Sequence, residues 1–242
     1  MLKLLSVFLA IAVVTACSDS NHDVNVQEKL KKDTAVNAQH LVFAAPQIVD
    51  SSAIVIYPLV LETKSYEGEY GSRGQETNYW NLVFYNAATQ SQHLLTTDKR
   101  VLITSLDFTP GVSSSGSSGE TWAGINIFKE KIVYTAVATD YNENKQLDKE
   151  DPTYLFISDR EGFGFRQISP NNYNISSWQV IRGTSKIVLQ AQKDDNGDKA
   201  FDEHDAAVPM IVDINANQQA VQVFKPGFTD SLKRRLVTIW KQ

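Results

Sequence analysis

Asp194-Asp195-Asn196-Gly197-Asp198-Lys199-Ala200-Phe201-Asp202-Glu203-His204-Asp205 is the stretch on which the reading of this 242-residue chain turns. Side-chain oxygens stand at positions 1, 3, 5, 9 and 12 of the twelve (Asp194, Asn196, Asp198, Asp202, Asp205). Position 7, Ala200, offers only its backbone carbonyl, and position 8, Phe201, is an apolar plug. Oxygen donors supplied from one turn of chain suit a hard cation of flexible coordination such as Ca²⁺. The register returns at 140–151. Asp140, Asn142, Asn144, Asp148 and Asp151 take the same five places, Gln146 the carbonyl place and Leu147 the plug. The two loops hold 11 of the chain's 28 acidic residues, with net charges of −3 and −5. Turns rich in Asp and Asn are common without any metal, but such crowding of like charge repels itself unless a cation neutralises it. The expectation is one or two bound Ca²⁺ ions.

Working outward, the loops sit at equivalent points of an internal repeat. Trp122 and Trp178 are 56 residues apart, Lys131-Ile132-Val133 and Lys186-Ile187-Val188 are 55 apart, and the acidic loops are 54 apart. Two one-residue deletions explain the drift. Short runs rich in Val, Ile, Tyr and Phe, separated by turn residues, read as strands at all-β spacing. They include 53–57, 82–85, 131–135, 154–157 and 186–189. Each unit reads strand, turn, strand, acidic loop, strand, turn, strand, with Trp122–Ile125 and Trp178–Ile181 as first strands and 166–169 and 220–224 as fourth strands. A degenerate third copy lies upstream, in 54–57, 80–86 and 93–96. Its connection, 63–78, reads as a long charged and aromatic loop (Tyr66, Glu67, Glu69, Tyr70) that has lost the calcium spacing. The expected fold class is all-β: about three four-stranded antiparallel blade-like repeats, over 40–100, 101–170 and 171–228. Residues 229–242 follow, with helix favoured over strand. Thr229 or Asp230 would cap it, and Leu232, Leu236, Ile239 and Trp240 would share one face. The Ser/Gly run 113–119 reads as a surface loop inside the second unit.

The N-terminus points to the cell envelope. Lys3 ends a short basic region and 4–14 is an apolar run, of signal-peptide length and too short to span a bilayer. Residues 1–16 are expected to be removed. Lys3 goes with them, which leaves 22 of the 23 basic side chains against 28 acidic ones. That balance, with no basic stripe, argues against a nucleic-acid partner. Residues 17–39 are polar and charged and read as a tether. Cys17 is the only cysteine, so no intramolecular disulfide exists to explain it.

Three resemblances extend this reading. Val14-Thr15-Ala16-Cys17 resembles the bacterial lipobox, in which the cysteine is acylated and becomes the mature N-terminus. That implies a palmitate-bearing lipid anchor at Cys17, and Ser18 behind it implies outer-membrane sorting, facing periplasm or cell surface. Leu155–Gly162 followed by Arg166-Gln167-Ile168-Ser169 resembles the strand-Asp-x-x-Gly-strand unit of TolB-type β-propeller repeats. This implies an envelope protein as partner. Three units leave closure open between pairing with a second copy, a further degenerate blade, and a smaller stacked-sheet fold. Both acidic loops resemble the EF-hand calcium loop, with Asp at position 12 as in dockerin-like variants. They depart from it at position 6, where Lys145 and Lys199 replace glycine at a cost on the order of 1 kcal/mol. They also lack helical flanks, because β-prone runs precede them and Pro152 and Pro209 follow. Structural calcium, binding near 10⁻⁴–10⁻³ M on the order of extracellular modules, fits better than signalling.

Nothing in the chain reads as catalytic. There is no Gly-x-Ser-x-Gly elbow, phosphate loop or His-Glu-x-x-His, and the four histidines (His22, His40, His93, His204) read as surface or packing residues. Trp80, Trp122 and Trp178 read as core. The expectation is a non-enzymatic scaffold for protein interaction or assembly. A hydrolase or glycan-binding module on the same scaffold is the competing class.

Overall fold

The computed structural model describes residues 41–49, 52–67, 73–107 and 130–240, with side chains placed except in 62–67 and 73–76. The expected signal peptide and tether, Cys17, His22, His40, Trp122–Ile125 and the 113–119 run lie outside the described residues. Of two compact units, Met1–Leu41 and Val42–Gln242, the second carries all that follows.

The unit is mostly β, with one C-terminal helix. Its elements are β1 (Gln47–Ile48), β2 (Ile54–Glu67), β3 (Arg73–Asn86), β4 (Ser91–Leu94), β5 (Leu102–Asp107), β6 (Lys131–Val137), β7 (Thr153–Asp159), β8 (Arg166–Gln167), β9 (Tyr173–Ile181), β10 (Lys186–Lys193), β11 (Ala206–Asp213), β12 (Val221–Gln222) and α1 (Pro226–Trp240). Every pairing is antiparallel. An eight-stranded sheet runs β1-β2-β3-β5-β6-β7-β8, with β4 also on β3, and a four-stranded sheet runs β12-β11-β10-β9. β3 serves two neighbours. Its end pairs with β4 from Val83↔Leu94 to Asn86↔Ser91, and Tyr79 meets Ile103 of β5. Neither sheet closes into a propeller among the described residues.

Side-chain alternation explains the layering. Ile54, Ile56, Leu82 and Phe84 of β2 and β3 share a core with Ile132, Tyr134, Ala136, Tyr154 and Phe156 of β6 and β7. The intervening residues Val133, Leu155 and Ile157 face the other way, into a second core with Ile187, Leu189, Ala191, Met210 and Val212 of β10 and β11. Because successive strand residues point to opposite faces, a strand with apolar residues at both parities must be covered on both sides. Leu155, Phe156 and Ile157 are therefore all buried. Each such side chain contributes about 1.5–3 kcal/mol relative to exposure. Inside the first core the Tyr134 hydroxyl lies 2.6 Å from Ser158 Oγ. Burial pushes the Tyr134 phenol well above its ordinary pKa.

Three strand ends turn in the same way. Asn86 Oδ1 accepts the amides of Ala88 and Thr89, at 2.9 and 3.1 Å. Asp159 Oδ1 accepts those of Glu161 and Phe163, at 3.0 and 2.7 Å. Asp213 Oδ1 accepts the amide of Asn215 at 3.0 Å and the Ser185 hydroxyl at 2.6 Å. Each is an Asx turn, the local bonding that makes Asp and Asn favoured hairpin residues.

Four expectations are corrected. The strand that precedes β6 and pairs with it is Leu102–Asp107, in register from Leu102↔Val137 to Asp107↔Val133, where the repeat led to 122–125, which lie outside the described residues. Most of the expected loop 63–78 is instead paired strand of β2 and β3, from Thr63↔Thr77 to Glu67↔Arg73, with 68–72 outside the described residues. The residues of 63–67 and 73–78 are mostly polar, so they carry no apolar alternation by which to read a strand. Trp80 is 39 % exposed, because its neighbour Tyr79 packs inward against the first core, whereas Trp178 does pack against the second. The helix begins at Pro226, ahead of the expected caps, with the Lys225 carbonyl accepting the amides of Phe228 and Thr229. Proline suits the first helical position because its missing N–H needs no partner there.

Gly162 holds the first core to the turn after β7. Its φ is +88°, and a Cβ there would stand 2.6 Å from the Phe84 ring. Gly162→Ala combines positive-φ strain with overpacking and is expected to destabilise by about 2–4 kcal/mol in urea unfolding. Combined with Phe84→Leu it should cost less than the sum of the two. Strict additivity would show that the ring contact does not set the requirement for glycine.

Candidate metal centre

The acidic loops 140–151 and 194–205 connect β6 to β7 and β10 to β11. Since those hairpins lie in neighbouring layers, the loops emerge side by side. Most of their internal backbone-to-side-chain bonding is shared at an offset of 54. The position-6 amide reaches the position-1 carboxylate, Lys145 N to Asp140 Oδ2 at 2.8 Å and Lys199 N to Asp194 Oδ2 at 3.1 Å. Asn142 Oδ1 and Asn196 Oδ1 accept the amides of Asn144 and Asp198 at 3.0 and 2.9 Å. Asn144 Oδ1 and Asp198 Oδ1 accept those of Gln146 and Ala200 at 2.7 and 2.9 Å. Asp148 Oδ1 and Asp202 Oδ1 accept those of Glu150 and His204 at 2.9 and 2.8 Å.

Position 12 closes each loop. Asp151 and Asp205 are buried, at 3 % and 8 % exposure. Asp151 Oδ1 accepts from Tyr141 N at 2.7 Å and Oδ2 from Asp148 N at 3.2 Å. Asp205 accepts from Asp195 N and Asp202 N, both at 3.1 Å. A carboxylate oxygen carries two lone pairs, so an amide bond leaves it able to ligate. The sharp turns fall where expected and also two residues earlier: φ is +71° at Lys145 and +64° at Lys199, and +62° at Glu143 and +76° at Gly197.

The donor set suits a hard cation, because it is all oxygen and mostly anionic. Asp140 Oδ1 adds a specific observation. It is buried and has no hydrogen-bond donor, a costly condition for a carboxylate oxygen that a cation would relieve. In the other loop the position-1 carboxylate is better supplied, since Asp194 Oδ1 accepts from Gly197 N at 2.6 Å and Oδ2 from the Tyr141 hydroxyl at 3.1 Å. Desolvation raises its pKa, but the Gly197 and Lys199 amides and the Tyr141 hydroxyl outweigh this and hold Asp194 below the ordinary carboxylate value. Among the described residues no three His, Cys, Asp or Glu side chains converge as they would around a metal. Most of the loops' carboxylate oxygens are turned onto loop amides, and five of the twelve candidate donors are Asn, Gln or Ala. Gln146 and Ala200 stand at the places where the carbonyl is the expected donor.

The structure adds residues that the spacing did not single out. Tyr141, at position 2, reaches across to Asp194 and stacks at a tilt on Phe201, centroids 5.0 Å apart. Lys199 Nζ lies 2.6 Å from Glu143 Oε2, and this lysine, chiefly through its hydrogen bond, holds Glu143 below its ordinary pKa. Asn174 of β9 accepts the Thr153 amide at 3.0 Å and donates to Gln192 Oε1 at 3.1 Å, and Gln192 Nε2 donates to the Asp202 carbonyl at 3.0 Å. No spacing in the sequence signals the contacts of Tyr141 with Asp194 and of Asn174 with Thr153, which join residues of different hairpins. A cleft of about 350 Å³ lies here, lined by Asn142, Glu150, Asp151, Asn174, Lys199 and Phe201 among others. Away from the loops, His93 is stacked between Phe84 and Phe163, as a packing residue, and His204 is exposed.

With the geometry in place, comparison with protein-family models, curated proteins and solved structures returns no match.

Because the folded pKa of Asp194 lies below its unfolded value of 3.8, its contribution to stability is full above about pH 5 and is lost as pH falls below 3.8. In EGTA, wild type should be more stable than Asp194→Asn near neutral pH by urea unfolding, with the gap closing as pH falls to about 3. A gap that does not change with pH would contradict the bonding described for this carboxylate.

Proposed function

We propose that this chain is a calcium-binding, lipid-anchored envelope protein that serves as an interaction or assembly scaffold and is not an enzyme. The observation that carries the calcium reading is the pair of twelve-residue loops that share most of one hydrogen-bond scheme, one of them holding a buried carboxylate oxygen, on Asp140, without a donor. The ligands would be Asp140, Asn142, Asn144, the Gln146 carbonyl, Asp148 and Asp151 in one loop, and Asp194, Asn196, Asp198, the Ala200 carbonyl, Asp202 and Asp205 in the other. β-Strands and not helices flank both, so binding stiffens two hairpins instead of swinging helices apart. Calcium is structural on this reading.

The scaffold is read as three blade-like units, β1–β4, β5–β8 and β9–β12, stacked face to face. The common Asx turns at Asn86, Asp159 and Asp213 support equal construction of the three. The outer face of the first unit supports an interaction role. Val55, Tyr57, Val83 and Tyr85 are only half-buried there, and Leu61 and Trp80 are exposed. Apolar and aromatic surface of this kind marks protein contact. The cleft beside Phe201 is the one observation that favours a glycan-binding module instead, since an aromatic ring flanked by Asn142 and Asn174 suits a sugar.

In protein stripped with EGTA, added millimolar Ca²⁺ is expected to raise the melting temperature by about 5–10 °C. Asp140→Ala with Asp194→Ala should remove the rise. A wild type that does not respond to Ca²⁺ excludes the calcium reading.

Acylation is tested separately. Cells fed radiolabelled palmitate should label the wild-type chain and leave Cys17→Ser unlabelled. Equal label on both would place the lipid elsewhere.

A further inference from the structure

The helix α1 (Pro226–Trp240) has no buried residue. At 3.6 residues per turn, Phe228, Leu232, Leu236 and Ile239 line one face, with Trp240 at its border. Their exposures are 50 %, 45 %, 55 %, 64 % and 78 %. Arg235 borders this strip on one side and Lys233 on the other, with Arg234 on the opposite face. Over 225–240 there are four basic residues (Lys225, Lys233, Arg234, Arg235) and one acidic residue (Asp230), in a chain whose overall net charge is −5. Positive charge is thus concentrated where apolar surface is uncovered, and all four basic side chains are exposed.

We propose that α1 is a membrane-surface helix that lies in the headgroup region of a bilayer bearing anionic phospholipid. The charge pattern selects this occupant. A helix that fits a protein groove or a second copy needs an apolar strip alone. Cationic side chains along both borders of the strip let their stems lie on the acyl boundary while their charges reach phosphate. The terminal Trp240 suits the same depth, with an apolar ring and a polar N–H. This contact is distinct from an acyl chain on Cys17 and does not depend on it. Were both present they would add, since a single acyl chain binds membranes only marginally.

The test uses residues 17–242 carrying Cys17→Ser, so that neither signal peptide nor acyl group contributes. Sedimentation with vesicles of phosphatidylglycerol in phosphatidylcholine should carry the protein down, vesicles of phosphatidylcholine alone should do so far less, and added salt should weaken binding. Lys233→Gln with Arg235→Gln should lower partition onto the anionic vesicles by roughly thirtyfold. Leu232→Ser with Leu236→Ser should lower it at least about tenfold. Urea unfolding of both variants should match wild type, because α1 contributes nothing to either core. Binding unaffected by these substitutions, or equal on neutral vesicles, would overturn the proposal. So would a lipid-free dimer in sedimentation velocity that Leu232→Ser with Leu236→Ser dissolves, since a second copy would then be the occupant.

Discussion

The hairpin of β6 and β7 has both of its faces covered, and the rest of the domain follows from that constraint. Tyr134, Tyr154 and Phe156 look one way and Val133, Leu155 and Ile157 the other. Two outer layers must therefore be supplied, β1–β4 on one side and β9–β12 on the other. The backbone of a doubly buried hairpin is reached by water only at its ends, so polar groups near it must find partners nearby. The Tyr134 hydroxyl does so at Ser158. The turn at Asp159–Gly162 does so within itself, and its glycine admits the Phe84 ring from the outer layer.

That stacking also decides where charge is allowed to gather. The acidic loops leave from the same end of adjacent hairpins, so two clusters of net negative charge stand next to each other. Each cluster is restrained from within by amides donated to its carboxylates, and most firmly by the buried Asp151 and Asp205. Between the clusters, Tyr141 bonds to Asp194 and Lys199 pairs with Glu143. These cross-links replace some of the repulsion with attraction. The surface ion pair is worth little by itself, and the tyrosine contact, with its ring on Phe201, supplies the fixed geometry.

Positive charge is segregated to the opposite kind of element. α1 joins neither core and has an apolar strip bordered by Lys233 and Arg235, whereas the strands bury their apolar residues against one another. A helix that gains nothing from tertiary packing depends on what it meets outside the domain, because short isolated helices are marginal in water.

The sequence by itself determined the strand content, the period of the repeat and the two twelve-residue loops. Each of these is written in local patterns: runs of Val, Ile, Tyr and Phe, the recurrence of Lys-Ile-Val, and oxygens at fixed spacing. It also placed Lys145 and Lys199 in left-handed positions, because the register of the loop demands a turn there whatever the residue. Tertiary structure alone decided which strand pairs with Lys131–Val137, since nothing local distinguishes Leu102–Asp107 as its neighbour. It alone turned 63–67 and 73–78 from an apparent loop into paired strand, because those mostly polar residues carry no apolar alternation. It also brought Tyr141 to Asp194 and Asn174 between the loops. Those contacts join residues about 20 to 50 positions apart, and layer stacking, which no spacing rule encodes, sets their distance.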